Sequence, residues 1–481
     1  MALSFRNLWG KEKRAQLLDE ADKNLAPEYK ELHPALELGL PFQTGAVESN
    51  YLSWPLLPEL FPVSFPGVKT SRDDVVVDID KERLISRMKQ YFDPELGDAE
   101  IRALMPSAMT NTARFDARKT RQYLVKRGFR PENIVRYCYR PFDNRWLYWE
   151  PETKLLDEKR SEYFPQVLEG NIFLFTTGRT RKGTAEPPLP IRTLNDLNCM
   201  DSGARGFALY LRPDHGDLVS NFGPQPNLGK AAIVYLTELQ MKELQLLEHA
   251  TAIISAPVYR RDNESGLRSN WPRIPLPSSG GLLDASALLG KQLTALLDTD
   301  VISPGVTSGN LRPEMRAIGT IVREGGGSLD PDAGDLDLNA GWGHGGKGGA
   351  VMPGKGKVVE RDYTAKEREA IATGTAALGL SEEQVLALLG NRTLDVYLNN
   401  IAYWRNIPIG VWEYTIGGYQ ATKKWLSYCA REILGRALKM DEARAVTDIA
   451  RRIAAILLME PELDANYEAI KKSAYPWKSS S

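Results

Sequence analysis

The 481-residue chain is poor in the residue types that announce a chemistry. Its three cysteines, Cys138, Cys199 and Cys429, are scattered, so neither a disulfide framework nor a zinc site is expected. The four histidines, His33, His215, His249 and His344, lie too far apart for a His-x-x-x-His metal motif. There is no GxSxG elbow and no GxxxxGK(S/T) loop, which removes the serine-hydrolase and P-loop readings. A glycine-rich cofactor strand and an Asn/Asp-Pro-Pro-Tyr/Phe loop are also missing, so a self-contained base methyltransferase is not expected. No run approaches the roughly 18 apolar residues of a membrane span. The N-terminal MALSFRNLWGKEKR has no apolar signal core, and the expected location is cytoplasmic.

What is present is charge in islands. The net charge of −1 averages a stretch from Thr112 to Arg145, with ten Lys/Arg against three Asp/Glu, and another from Arg405 to Arg452, with nine against five. Basic islands in a neutral chain suit a nucleic-acid surface, and they equally suit solvated helices. The length allows two or three domains.

FDARKTRQYLVKRGF reads as a helix capped by Asp116 and stopped at Gly128. Ala117, Thr120 and Leu124 would form its inner stripe, leaving Arg114, Arg118 and Arg121 outward. NIVRYCYR alternates as a strand, Asp143-Asn144 supplies a turn, and RWLYW returns as a second strand. NIFLFTT and FALYLR are further strands. LTELQMKELQLLEHATAII reads as one helix with Thr237 and Gln240 as a capping box. SEEQVLALLG and DEARAVTDIARRIAAILLM are helices of the C-terminal part, the latter burying Ile449, Ile453, Ile456 and Leu457. Between Glu324 and Lys357, twelve glycines predict a flexible loop. The GxGxxG formed there by Gly341, Gly343 and Gly346 lacks the strand and helix that a nucleotide cradle needs. The fold class expected is mixed α/β (α+β), a short-stranded sheet with flanking helices and a mainly helical C-terminal part. The expected divisions are a lead-in at 1–65, an α/β recognition domain at 66–323, the loop at 324–357 and the helical part at 358–481.

Four stretches carry a resemblance. YCYRPFDNRWLYWE (137–150) is similar to the "YRPFD-x-R-x-x-Y" signature of the target-recognition region of type ISP restriction-modification enzymes. GFALYLRP (206–213) resembles that family's "FPLY" strand. SAPVYRRDNESGLRSNWPRIPLP (255–277) resembles its "SPxYR…FPRIPLP" segment, and VWEYTIGGYQATKKWLSY (411–428) its "VWxYxIGGYQxLxKWLxYR" close. They occur in family order across about 340 residues. Cys429 stands where the family usually has arginine, and the glycine-rich insertion is longer than usual.

The resemblance implies sequence-specific recognition of double-stranded DNA for an adenine-specific DNA methyltransferase of a phage-defence restriction-modification system. FRNLWGKEKR resembles the segment that follows the methyltransferase core, so that module is expected in cis or in trans. S-adenosylmethionine would belong to the module, with no cofactor, no metal and no catalytic residue in this chain, and no membrane partner. The DNA-contact candidates are Arg114, Arg118, Lys119, Arg121, Arg140, Arg145, Arg179, Arg181, Lys182, Tyr419, Gln420, Lys423 and Lys424. Trp146, Tyr148 and Phe142 read either as hairpin core or as base-stacking groups, and Arg140 and Arg145 either pair with Asp143 or face DNA. Gly417-Gly418 predicts a tight turn, and PRIP an extended connector with Arg273 in a structural pair. The alternatives are a scaffold subunit that has lost DNA reading, and a nuclease using Asp143 with Asp157-Glu158-Lys159.

Overall fold

The computed structural model describes residues 3–6, 8, 11–23, 29–32, 47–179, 185–200, 203–213, 223–346 and 351–478. The architecture is mixed α/β, as expected. Three four-stranded sheets organise it. The first is antiparallel, in the order Ser64–Phe65, Ala204–Ala208, Phe173–Thr177, Leu189–Ile191. The second runs Val77–Asp78, Asp143–Tyr148, Ile134–Arg140, Leu194–Asn195, its last strand parallel to its neighbour. The third is again antiparallel, in the order Thr320–Arg323, Ala402–Pro408, Thr393–Tyr397, Val358–Arg361. One contiguous apolar core runs through all of them, from Tyr51 to Ile470.

Helices close this core. Glu243–Ser255 packs on Gly280–Leu297 so closely that a Cβ at Gly290 would fall 1.8 Å from the Glu248 carbonyl oxygen. The 33-residue helix Met440–Lys472 lies across both. It buries Ile449, Ile453, Ile456 and Leu457 as its periodicity predicts. Its Arg452 donates to the carbonyls of Ala295, Leu296, Asp298 and Val301, filling acceptors that the end of Gly280–Leu297 leaves open. Trp404 Nε1 of the third sheet donates to Ala443 O of the same long helix at 3.0 Å.

Several local readings need correction. The hairpin turn is Pro141-Phe142, with Phe142 at φ 62°, while Asp143 and Asn144 already belong to the returning strand. The helix expected from Leu236 onward is two helices, Lys230–Leu239 and Glu243–Ser255, broken where Gln240 turns left-handed at φ 57°. The capping contact belongs to Gln245, whose Oε1 accepts from Lys242 N. The glycine-rich stretch is largely folded in its described part, where Leu336, Leu338 and Trp342 are buried. Trp342 Nε1 donates to Tyr397 O, and Gly343–Gly345 pairs with Val351–Pro353. Three large side chains anchor what the glycine count alone presents as unanchored. Residues 347–350, including Lys347, lie outside the described residues. Cys138 and Cys199, far apart in sequence, place their sulfurs 3.5 Å apart in the interior.

A buried hydrogen-bond relay ties PRIPLP to the helices. Asn466 Nδ2 donates to Ser286 Oγ, the Ser286 hydroxyl faces His249 Nδ1 at 2.8 Å, and His249 Nε2–H donates to Pro275 O at 2.9 Å. Burial holds the His249 pKa down at about 4. The folded state therefore favours the neutral ring. That contribution is complete above the unfolded value near 6.5 and is lost as pH falls toward 4. Urea unfolding free energies should drop by about 3 kcal/mol over this window from this residue. His249→Gln should flatten that limb of the pH profile, and an unaltered limb would assign it to other groups.

Candidate nucleic-acid interface

The hairpin strands Ile134–Arg140 and Asp143–Tyr148 turn a dense set of rings and guanidinium groups inward. Arg145 clamps both oxygens of Asp143 through Nε and Nη2, at 2.9 to 3.1 Å. Arg140 reaches elsewhere: Nη1 donates to Asp196 Oδ1 at 2.8 Å and Nη2 to the Tyr428 hydroxyl at 3.1 Å. Its guanidinium carbon lies 4.2 Å from the ring centre of Tyr139, 5.3 Å from Tyr428 and 5.9 Å from Tyr419. Arg145 lies over Tyr139 and Tyr428 as well. Burial works against the Arg140 charge, but Asp196 and the tyrosines outweigh it and hold its pKa well above the ordinary value. The hydroxyls of Tyr139 and Tyr137 donate to Asp73 and Asp196. Both arginines are thus committed inside the fold, and the expectation that they face DNA does not match their placement.

The second half of this cluster comes from the C-terminal stretch. Gly417 and Gly418, at φ 64° and 79°, turn the ribbon Thr415–Ile416/Tyr419–Gln420. A Cβ at Gly417 would stand 2.9 Å from Met200 Cα and 3.0 Å from Cys199 O, so the ribbon sits directly on the loop after Asn195. Tyr419 is half-buried against Arg140, and Gln420 Nε2 donates to Trp412 O at 2.7 Å. Lys424 Nζ lies 4.8 Å from the Tyr419 ring and 4.9 Å from Tyr428. Lys423 is half-buried with no ion pair among the described residues. Residues about 280 apart in sequence, Arg140 and Tyr428, therefore share one ring-and-cation stack.

The other two resembling stretches meet likewise. Phe207 packs edge-on against Trp271 at 5.0 Å, and a Cβ at Gly178 would fall 2.8 Å from the same indole. Arg273 Nη1 donates to Trp54 O, a backbone carbonyl where a charged pair is expected. Arg179, next to Gly178, is exposed, while Arg181 and Lys182 lie outside the described residues.

The helix Ala117–Arg127 is capped as its sequence predicts, with Asp116 Oδ1 accepting from Lys119 N and Gly128 at φ 91°. Arg121, expected on the outward face, is buried. It donates to the carbonyls of Tyr91, Asp93 and Leu96 and to Asp98 Oδ1. Ala117, Arg121 and Leu124 are spaced i, i+4, i+7, which is the signal for an inner stripe. The outward face is Arg118, Lys119, Gln122 and Lys126, all exposed, and Gln122 and Lys126 escaped the sequence reading. Arg118 meets the half-buried Asp98 at 3.2 Å and Lys119 meets Asp116 at 3.6 Å, both cations being exposed to solvent. Such pairs contribute about 0 to 1 kcal/mol and yield readily to a phosphate. Arg114, Lys126, Arg179 and Lys423 have no ion pair among the described residues.

The nuclease alternative loses its carboxylates to the fold. Asp143 is clamped by Arg145, and Asp157 is held by Lys69 at 2.7 Å and by the Ser71 hydroxyl at 3.2 Å. Among the described residues no group of three or more His, Cys, Asp or Glu side chains is disposed to hold a metal ion.

Removing Arg140 would leave Asp196 buried without its counter-charge. Arg140→Ala should lower the unfolding free energy by about 3–5 kcal/mol in urea titrations. Lys424→Ala, on the outside of the same stack, should cost no more than about 1 kcal/mol. Equal losses would mean that the stack does not distinguish an inner from an outer cation.

A model of the type ISP C-terminal specificity domain matches residues 59–307. No curated protein matches the chain. Three solved structures share the fold over 94% of this chain. One is a nuclease-deletion mutant of the type ISP restriction-modification enzyme LlaGI in complex with a DNA substrate mimic (16% identity, TM-score 0.54). The others are a DrdV–DNA complex (15%, 0.59) and the ATP-dependent type ISP enzyme LlaBIII bound to DNA (16%, 0.51). This chain spans only 38%, 42% and 26% of those chains, respectively. The four resembling stretches thus meet in pairs within a fold that these enzymes share, and the chain belongs to the type ISP C-terminal specificity domain family.

Proposed function

We propose that this chain reads a specific duplex sequence as the specificity region of a type ISP-like restriction-modification system. An adenine-specific methyltransferase module, in cis or in trans, would carry out the chemistry. The observation that carries this reading is family membership joined to a fold seen in three DNA complexes. Solvated cations supply the electrostatics: Arg118, Lys119 and Lys126 on one helix face, with Arg114 and Arg179 elsewhere on the surface and the half-buried Lys423 and Lys424 beside the ribbon. These would neutralise phosphates, while polar side chains read base edges.

S-adenosylmethionine is assigned to the partner module. The glycine motif Gly341/Gly343/Gly346 does not fit a cofactor cradle. Gly343 lies in the short hairpin, where a Cβ would meet Ser427 O at 2.1 Å, so its surroundings are already filled by protein. Incubation of the pure chain with labelled S-adenosylmethionine and mixed-sequence duplex should leave the DNA unlabelled. Label in the DNA would overturn this division of roles.

Duplex affinity measured against salt tests the reading itself. Arg118→Ala, Lys119→Ala and Lys126→Ala combined should weaken binding evenly across sequences. The slope of log affinity against log salt should flatten by roughly 0.9 per lost phosphate contact. A scaffold that had lost DNA reading would hold target and non-target duplexes alike in a library selection, with no enriched sequence.

A further inference from the structure

The outward face of the helix Ala117–Arg127 has an order beyond its charge. Successive residues of a helix turn by about 100°. The buried Ala117, Arg121 and Leu124 close one side, and the exposed positions fall on an arc of about 140° on the other. In angular order that arc reads Arg118, Gln122, Lys126, Lys119 and Tyr123. At its far edge the Tyr123 hydroxyl donates to Glu152 Oε2 at 2.8 Å, and Glu152 also takes Arg127 and Arg130. That flank is closed. The open part of the arc is a row of cations with one carboxamide set inside it.

Gln122 stands one turn after Arg118 and one turn before Lys126. Its side chain is exposed, and its amide makes no hydrogen bond to any described residue. It offers a phosphate no charge. The carboxylates on this side, Asp98 and Asp116, are already met by Arg118 and Lys119. What Gln122 does offer is a donor and an acceptor on one planar edge.

The spacing of its neighbours says where that edge would work. From Arg118 to Lys126 is about 12 Å along the helix axis. That is also about the width of the major groove of a B-form duplex. Cations so separated can meet the phosphates of the two groove walls, while a side chain midway between them reaches toward the base edges. A carboxamide there matches adenine, whose N7 accepts and whose N6 amino group donates on the major-groove side. We propose that the helix Ala117–Arg127 enters the major groove and that Gln122 reads an A·T pair, with Arg118, Lys119 and Lys126 on the flanking phosphates. This rests on the DNA-recognition reading above and adds to it a groove, a base and the residue that specifies it.

Selection from a randomised duplex library, with affinity then measured against salt, tests this on the full chain. Gln122→Ala should lose roughly tenfold or more of the discrimination at one A·T position and keep the rest of the selected sequence. Its slope of log affinity against log salt should stay that of the wild type, because no phosphate contact is removed. Lys126→Ala should do the converse, keeping the selected sequence and flattening the slope by about 0.9. Gln122→Arg should replace adenine by guanine at the same position. All three side-chain changes are at exposed positions, so urea unfolding should stay near wild type. If Gln122→Ala selects the wild-type sequence with undiminished discrimination, the proposal is overturned and DNA recognition stands. A wild-type chain that enriches no sequence would overturn the recognition reading itself, and the proposal with it.

Discussion

The ion pair of Arg140 with Asp196, enclosed by Tyr139, Tyr419 and Tyr428, is the contact on which the central part of the molecule depends. Each partner comes from a different place: the end of a hairpin strand, the loop after Leu194–Asn195, and the C-terminal stretch. A buried charge is costly unless every direction around it is compensated. Here a carboxylate, a phenol oxygen, the Tyr139 carbonyl and three π-faces share the task around Nη1 and Nη2, while Nε makes no hydrogen bond. No member can shift without exposing the others to an uncompensated charge. The hairpin, the Asp196 loop and the C-terminal ribbon are thereby fixed as one unit.

The same device recurs where side chains meet backbone. Arg452 collects four carbonyls where the helix Gly280–Leu297 ends, and Arg121 collects three around Tyr91–Leu96. Each is a five-donor fork placed where the chain leaves acceptors without intrachain partners. Arginine in this protein is therefore a structural residue at least as much as a surface one. Its abundance between Thr112 and Arg145 describes two populations with different tasks.

Local signals were legible in the sequence. Asp116 and Gly128 bound their helix, SEEQVLALLG forms the helix Glu382–Leu389, and Gly417-Gly418 turn as predicted. The order of the four resembling stretches also identified the family. What stayed hidden was long-range. Nothing near Arg121 in the sequence marks the carbonyls that receive it, and nothing near Arg140 marks Tyr428. Buried and solvated arginines are the same letter, and only distant partners separate them. Glycine counting failed between Glu324 and Lys357 for a similar reason, since Trp342 and two leucines find their cover in other segments.

The separation of inner from outer cations has a consequence for how such a protein can change its target. Altering one of the residues that hold the hairpin and the C-terminal ribbon together would cost the fold several kcal/mol. The exposed cations and their polar neighbours carry little, with typical substitutions within about 0.5 kcal/mol. Under the proposed function, a lineage can therefore exchange surface residues one at a time and sample new base preferences while the chassis stays above its folding threshold. Because Arg140 and Arg145 are sealed inside, the stretch by which the family is identified can stay constant while the exposed residues around it change.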